Sequence, residues 1–272
     1  YRRQRQMCRR DSGKPAGEMH QGGFYRFNYD ITELLNLGKK NQLEVKVAKE
    51  SANRSINAAE RKADWWLFGG IYRPVWLEVL PQVHMEHFVL NADHHGKLQT
   101  AVDMAGDAKG HEIIVSVRSL KDGKTVYTSN GQTTITHPIN NSDKEQMISG
   151  EWASIIPWST ENPNLYVAKL ELKNPEGKIV QTRETRIGFR TVEFFPQDGV
   201  YLNGTKLVVK GINRHSFSVD GGRTTSAALS RMDALLIKEM NMNAVRSHYP
   251  PDEHFLDTVS YTHLTLPTIL LV

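Results

Sequence analysis

The stretch GINRHSFSVDGGRTTSAALSRMDALLIKEMNMNAVRSHYPPDEHF, residues 211–255, decides the fold. It holds two polar, histidine-bearing tips, Gly211-Ile212-Asn213-Arg214-His215 and Asn243-Ala244-Val245-Arg246-Ser247-His248-Tyr249-Pro250. Each tip closes an apolar run. Leu207-Val208-Val209-Lys210-Gly211-Ile212 is rich in β-branched residues and predicts a buried strand. After Gly221-Gly222, Thr225 or Ser226 can cap a helix, and Leu229, Met232, Leu235, Leu236 and Met240 recur at helical spacing. Residues 243–246 predict the next short strand. Strand, helix, strand is a βα unit, and in such units ligands sit at the carboxyl ends of the strands. His215 and His248 fall at those two ends. Two imidazoles at one rim suit hydrogen bonding to a polyol.

The rest of the chain sets bounds on partners. Its 272 residues are enough for two or three domains. Hydrophobic residues at 39% and charged residues at 24% are ordinary for a globular protein. The net charge of +4 is small, and part of it sits in Arg2, Arg3, Arg5, Arg9 and Arg10. No basic face continues beyond that tip, so nucleic acid is not an expected partner, and residues 1–10 read as an uncertain, disordered or spurious tip. Cys8 is the only cysteine, which excludes an intrachain disulfide and leaves the compartment open. No apolar run reaches the roughly 18 residues of a membrane-spanning helix, and no signal peptide is visible.

From Gly13 to Leu80 the pattern predicts β-structure throughout. Phe24, Phe27 and Tyr29 have strand character, Asp30-Ile31-Thr32-Glu33-Leu34-Leu35 a turn, and Leu43-Glu44-Val45-Lys46-Val47 alternates at period two, one face buried and one wet. Ala63-Asp64-Trp65-Trp66-Leu67-Phe68-Gly69-Gly70-Ile71-Tyr72-Arg73-Pro74-Val75 has paired glycines that permit a close-approaching backbone, and residues 75–79 predict a strand. Asp64 by its own chemistry is a turn-capping residue. Trp65, Trp66 and Phe68 offer flat faces that could stack on a ligand, but such residues more often serve as core. Pro81 marks a linker. From 83 to 190 short strands alternate with turns, as in residues 112–117, the turn Lys121-Asp122-Gly123-Lys124, and residues 165–172, which implies a β-sandwich. His84, His87, His94 and His95 alternate as strand and turn positions rather than as zinc ligands.

Residues 211–255 resemble the first βα units of the catalytic barrel of glycoside hydrolase family 2, the β-galactosidase and β-glucuronidase family. The family pattern runs G-[VI]-N-R-H, a glycine-rich loop, an amphipathic helix, then N-[AF]-V-R-x-S-H-Y-P. Here Arg246 abuts Ser247 directly, a departure by one residue. Asp64 to Val75 is similar to the most specific signature of the family's sugar-binding jelly roll. Trp158-Ser159-Thr160-Glu161-Asn162-Pro163-Asn164-Leu165-Tyr166 resembles the W-x-x-E-N-P-x-L-Y signature of its immunoglobulin-like domain. The resemblance implies a multidomain β plus α/β protein: the C-terminal half of a jelly roll at 11–80, an immunoglobulin-like sandwich at 81–190, and the start of a TIM barrel at 191–258. From about 258 onward, Val259-Ser260-Tyr261-Thr262-His263-Leu264-Thr265-Leu266-Pro267-Thr268 resembles the translation of a sequencing-library adapter, so 259–272 are expected to lie outside the coding frame.

The implied function is a retaining exo-glycosidase acting on terminal β-linked sugars, β-galactosidase-like, with β-glucuronidase or β-mannosidase specificity as the alternative. A second alternative is a non-catalytic carbohydrate-binding sandwich, which has no use for GINRH or SHYP. Retaining glycosidases use two carboxyl groups, one a proton donor and one a nucleophile. In the family both are glutamates on later barrel strands, beyond this chain, and Glu239 and Glu253 fall on helices. This stretch alone is therefore expected to be inactive. The resemblance gives Asp64, His215, His248 and Arg246 as substrate-binding residues, and Arg214 and Asn213 as braces. It implies a carbohydrate partner and no cofactor in this stretch. It leaves open a divalent cation and a homo-oligomer for the complete enzyme.

Overall fold

The computed structural model describes residues 5–10, 20–21, 26–48, 50, 53–61 and 69–261. Among these the chain is β-rich, with three α-helices. It divides into two compact units. One holds residues 1–76, 213–230 and 247–254; the other holds 77–212, 231–246 and 255–272.

At the start of the first unit, β1 (Arg5–Arg10) lies antiparallel between β2 (His20–Gln21) and β3 (Leu43–Ala48). Six register pairs join β1 to β3, with Arg9 opposite Glu44. Residues 5–10, part of the stretch read as an uncertain tip, form a paired strand, because ladder hydrogen bonds come from the backbone and do not depend on side-chain charge. In β3, Val45 and Val47 are half-buried while Glu44 and Lys46 are exposed, the expected period of two. The turn before it is a single 3-10 turn, Thr32–Leu34, opened by Asp30, whose Oδ1 accepts the Thr32 N–H at 2.9 Å. Three β expectations fail. Phe27 and Tyr29 lie in no strand, and Phe24 lies outside the described residues. Arg54–Arg61 is a helix, α1, because Asn53 Oδ1 caps it by accepting the Ser55 N–H at 3.0 Å. Residues 75–79 join no ladder, and Val75 and Trp76 are exposed; strand propensity makes no strand without a neighbour to bond.

The second unit contains a two-layered sandwich. One sheet has the order β4 (His84–Ala92), β5 (Lys97–Ala105), β9 (Glu145–Glu151). The other has the order β11 (Ile179–Ile187), β10 (Tyr166–Lys173), β6 (Glu112–Ser119), β7 (Thr125–Val126), with β8 (Thr134–Pro138) also on β6. Every pairing is antiparallel. Alternate residues point inward: Ile113, Val115 and Val117 from β6, Leu170 and Leu172 from β10, and Leu98, Val102 and Met104 from β5 share one core. Each such side chain contributes about 1.5–3 kcal/mol when fully buried. Gly96, at φ +100°, is required twice over, since a Cβ there would stand 2.3 Å from the Trp152 carbonyl oxygen.

A meander follows, β12 (Val192–Phe195), β13 (Gly199–Leu202) and β14 (Thr205–Leu207). Asn203 and Gly204, both at positive φ, make the two-residue turn between β13 and β14. This meander was not foreseen, and it splits the expected strand at 207–212. Leu207 ends β14, Val208 and Val209 are exposed, and the next strand, β15, is Gly211–Arg214. Asn243 makes the break, donating from Nδ2 to the Val208 carbonyl at 2.9 Å and accepting the Lys210 N–H on Oδ1 at 2.8 Å.

Then come α2 (Ala227–Glu239), β16 (Ala244–Ser247) and α3 (Glu253–Tyr261). Strand β15 pairs with β16. The Ala244 N–H bonds the Lys210 carbonyl and the His248 N–H bonds that of Arg214. The constant offset of 34 residues, 244 to 210 and 248 to 214, is the register of a parallel pair. It runs through Arg246 and Ser247 unbroken, so the one-residue departure leaves the ladder intact. Ser226, not Thr225, caps α2, its Oγ accepting the Leu229 N–H at 3.1 Å. The buried face of α2 is Ser230, Ala234 and Ile237, while Met232, Leu235, Leu236 and Met240 are exposed. Ala234, Ile237, Val245, Phe255 and Val259 form a second core. Helix α3 thus packs through Val259, inside the stretch read as adapter translation; residues 262–272 lie outside the described residues.

Candidate active-site rim

The geometry at the carboxyl ends of β15 and β16 follows from the parallel register. With His248 N–H bonded to the Arg214 carbonyl, His215 and His248 leave their strands side by side. Their rings stack with centroids 4.4 Å apart and planes 27° from parallel. Both side chains are exposed. Tyr249 completes the group, its ring 5.6 Å from His215 and 4.6 Å from His248. The Arg223 guanidinium, itself buried, lies 4.4 Å over the Tyr249 ring, a cation–π contact that holds the tyrosine from behind. A neutral imidazole donates from one nitrogen and accepts on the other, so the pair can hydrogen-bond hydroxyl groups in either sense.

Below the rim lies a polar bracket. Arg73 donates from Nη2 to the Pro250 carbonyl at 2.6 Å and from Nη1 to the Pro251 carbonyl at 3.0 Å. Its Nε stands 3.1 Å from Asp252 Oδ1 as an ion pair. The other carboxylate oxygen of Asp252 accepts the Thr225 hydroxyl at 2.5 Å. His254 Nε2 is 3.1 Å from the Thr225 carbonyl oxygen. Thr225 and Asp252 are buried, which strengthens each polar contact. Arg26 is paired with exposed Glu253, and its guanidinium lies 4.9 Å over the Trp76 ring.

Of the four sequence-predicted binding residues, the structure brings His215 and His248 together. Arg246 is exposed on β16. Asp64 lies outside the described residues, as do Trp65, Trp66 and Phe68. Arg214 is buried and donates from Nη1 to the Ser216 hydroxyl at 3.2 Å, a bracing contact; Asn213 is exposed. Sequence reasoning missed Tyr249, Arg73 and Asp252 as parts of the site and read Thr225 only as a cap. The signal was the Pro250-Pro251 pair. Neither proline offers an N–H, so the ladder ends here and their carbonyls are left to take a donor from elsewhere.

The histidines weighed for zinc have other neighbours. His84 Nδ1 is 2.8 Å from the Pro81 carbonyl oxygen, and His94 Nδ1 is 2.6 Å from Thr191 Oγ1. Among the described residues no group of three or more His, Cys, Asp or Glu gathers as a metal site. No described helix is long and apolar enough to cross a membrane.

Two family models match the chain. Glycosyl hydrolases family 2 matches residues 83–190, and the TIM barrel domain of glycosyl hydrolases family 2 matches residues 196–264. The chain is 30% identical over 250 residues to the β-galactosidase BgaC of Bifidobacterium adolescentis, covering 87% of this chain and 23% of that protein. It is 31% identical over 252 residues to a putative β-glucuronidase of Formosa agariphila, covering 89% of this chain and 28% of that one. Among solved structures, the β-glucuronidase of Bacteroides uniformis is similar with a TM-score of 0.76 at 25% identity, over 97% of this chain and 32% of that one. The Parabacteroides merdae β-glucuronidase shares the fold with a TM-score of 0.76 at 23% identity, over 96% and 34%. The chain spans between 20% and 33% of the length of the curated relatives it matches. Both family models, covering well over half of its residues, come from one family, and the relatives agree with them: this chain belongs to glycosyl hydrolases family 2.

Proposed function

We propose that the complete protein is a retaining exo-β-glycosidase, β-galactosidase-like, and that residues 211–255 form part of the wall of its sugar site. The observation that carries this reading is the stacked pair His215 and His248 at the ends of two neighbouring parallel strands, where βα folds bind their ligands. On this reading residues 11–80 belong to a sugar-binding jelly roll, 81–190 are an immunoglobulin-like sandwich and 191–258 open a TIM barrel. The imidazoles hydrogen-bond the hydroxyls of the non-reducing sugar. As the ring flattens toward the oxocarbenium-like transition state, contacts aimed at the flattened form tighten, and this differential binding lowers the barrier. Asp64 accepts hydrogen bonds from hydroxyls, with the strength of a charged acceptor, and Arg246 donates at the same rim. The proton donor and the nucleophile are carboxyl groups supplied by later barrel strands.

The named β-galactosidases among the curated relatives favour galactosides. The β-glucuronidases among relatives and similar structures favour a second reading, a uronide substrate. Nitrophenyl β-D-galactoside, β-D-glucuronide and β-D-mannoside offered to the complete protein separate the two. The expected result is preference for the galactoside, with the β-anomer released first. Preference for the glucuronide establishes the second reading, and turnover of none of the three refutes both. The 272-residue stretch alone is expected to turn over none.

A further inference from the structure

Arg73 sets its guanidinium against three consecutive residues, hydrogen-bonding through both Nη groups and meeting the third as an ion pair at Nε that makes no hydrogen bond. Pro250 and Pro251 give it their carbonyl oxygens at 2.6 and 3.0 Å, and Asp252 gives a carboxylate at 3.1 Å. The planar fork fits this set as no other side chain does; a lysine ammonium is a point charge and cannot span it. Thr225 fixes the far side of Asp252. Immediately before these residues come His248 and Tyr249. The His248 N–H is held by the Arg214 carbonyl at 3.0 Å. The segment bearing the rim is therefore pinned on both sides: by the ladder at His248, and by Arg73 at residues 250–252. Ser247 Oγ, donating to the Tyr249 carbonyl at 2.6 Å, closes the bend between them.

We propose that Arg73 is a positioning residue, which through Pro250, Pro251 and Asp252 fixes His248 and Tyr249 against His215 in the geometry the sugar requires. The proposal rests on the glycosidase reading above. It predicts that loss of the fork shows as lost turnover through His248, beyond any loss of stability.

The test is a double-mutant cycle in the complete protein, on the nitrophenyl β-glycoside it hydrolyses best. Arg73→Lys is expected to lower kcat by about ten- to a hundredfold, since a misplacement of about 1 Å can cost about 10²-fold, with KM changed less than about threefold. In the His248→Ala background the same substitution is expected to cost less than about threefold, because its effect runs through the missing imidazole. Wild-type kcat in Arg73→Lys, or full additivity in the double variant, overturns the proposal. Should Arg73→Lys fail to fold, Asp252→Asn replaces it in the cycle, keeping both carbonyl contacts and removing the charge together with one of the two acceptor oxygens that face Arg73 and Thr225; the same two outcomes then decide. A crystal structure of the variant supplies a readout independent of turnover. The His215–His248 ring separation is expected to move from 4.4 Å, and an unchanged rim overturns the proposal. If the wild-type protein hydrolyses no glycoside, the glycosidase reading fails by itself, and the ring separation alone decides the role of Arg73.

Discussion

Replacing Gly211 by alanine puts a methyl group where the β15–β16 ladder has no room for one. An ideal Cβ at Gly211 would stand 2.8 Å from the Ala244 carbonyl oxygen and 3.1 Å from both its carbonyl carbon and its Cβ. Ordinary contact begins at 3.4 Å, so the strands must part by about 0.6 Å, from 2.8 to 3.4 Å. The obstacle is backbone of a paired strand, which cannot swing aside as a side-chain tip can. Parting strains the Ala244 N–H bond to the Lys210 carbonyl, already 3.1 Å long. Overpacking of this kind costs about 1–3 kcal/mol, and the stiffer unfolded chain of alanine offsets about 0.4–1 kcal/mol. The net loss is about 1–2 kcal/mol in local stability, a factor of about 5–30 in the opening equilibrium. Hydrogen exchange on the complete protein reads this directly, because exchange reports local opening. Amides of residues 243–248 are expected to exchange about 5–30-fold faster in Gly211→Ala than in wild type, while the sandwich amides of β6 and β10 keep their rates. Equal rates at 243–248 would refute the close approach and with it the parallel register at this point.

Three further outcomes are expected. His215→Ala and His248→Ala in the complete protein should each lower kcat by about ten- to a thousandfold, at about 1.4 kcal/mol per factor of ten, and raise KM less; steady-state kinetics decide, and wild-type constants in both would make the pair structural. Leu170→Ala, at a position fully buried in the sandwich core, should cost about 2–5 kcal/mol, read as a lowered urea midpoint of the sandwich. Asp198 is held below its ordinary pKa of 3.8, first by Lys206 and then by Tyr201. A depressed folded pKa means the contribution is present above 3.8 and is lost as the pH falls through the folded value. Asp198→Asn should flatten acid sensitivity in that window, measured by thermal unfolding against pH; an unchanged profile would remove Asp198 from the account.

The sandwich and the βα order were legible because they rest on local signals: period-two alternation in residues 112–117, a serine cap, and histidines closing two apolar runs. The losses have physical causes as well. The strand break at Val208 comes from the side chain of Asn243, 35 residues away, which no local window contains. The buried face of α2 was not legible, because it is made by Ser230, Ala234 and Ile237 while the larger Leu235 and Leu236 are exposed. That His215 and His248 lie side by side was legible because two short motifs carry them. Arg73 was not, since two of its partners are main-chain carbonyls 177 and 178 residues away, far outside any local window, and the Pro250-Pro251 pair signals only that a donor is needed, not which residue supplies it. Helix α1 was hidden in a stretch judged by its aromatic neighbours.

The central claim is that His215 and His248 form a sugar-binding rim. A crystal structure of the complete protein with a bound, unhydrolysed monosaccharide tests it most directly. The account predicts ring nitrogens of both histidines within about 3 Å of sugar hydroxyls, with Asp64 reaching the same sugar. A sugar seated elsewhere, with both imidazoles facing only water, would contradict it.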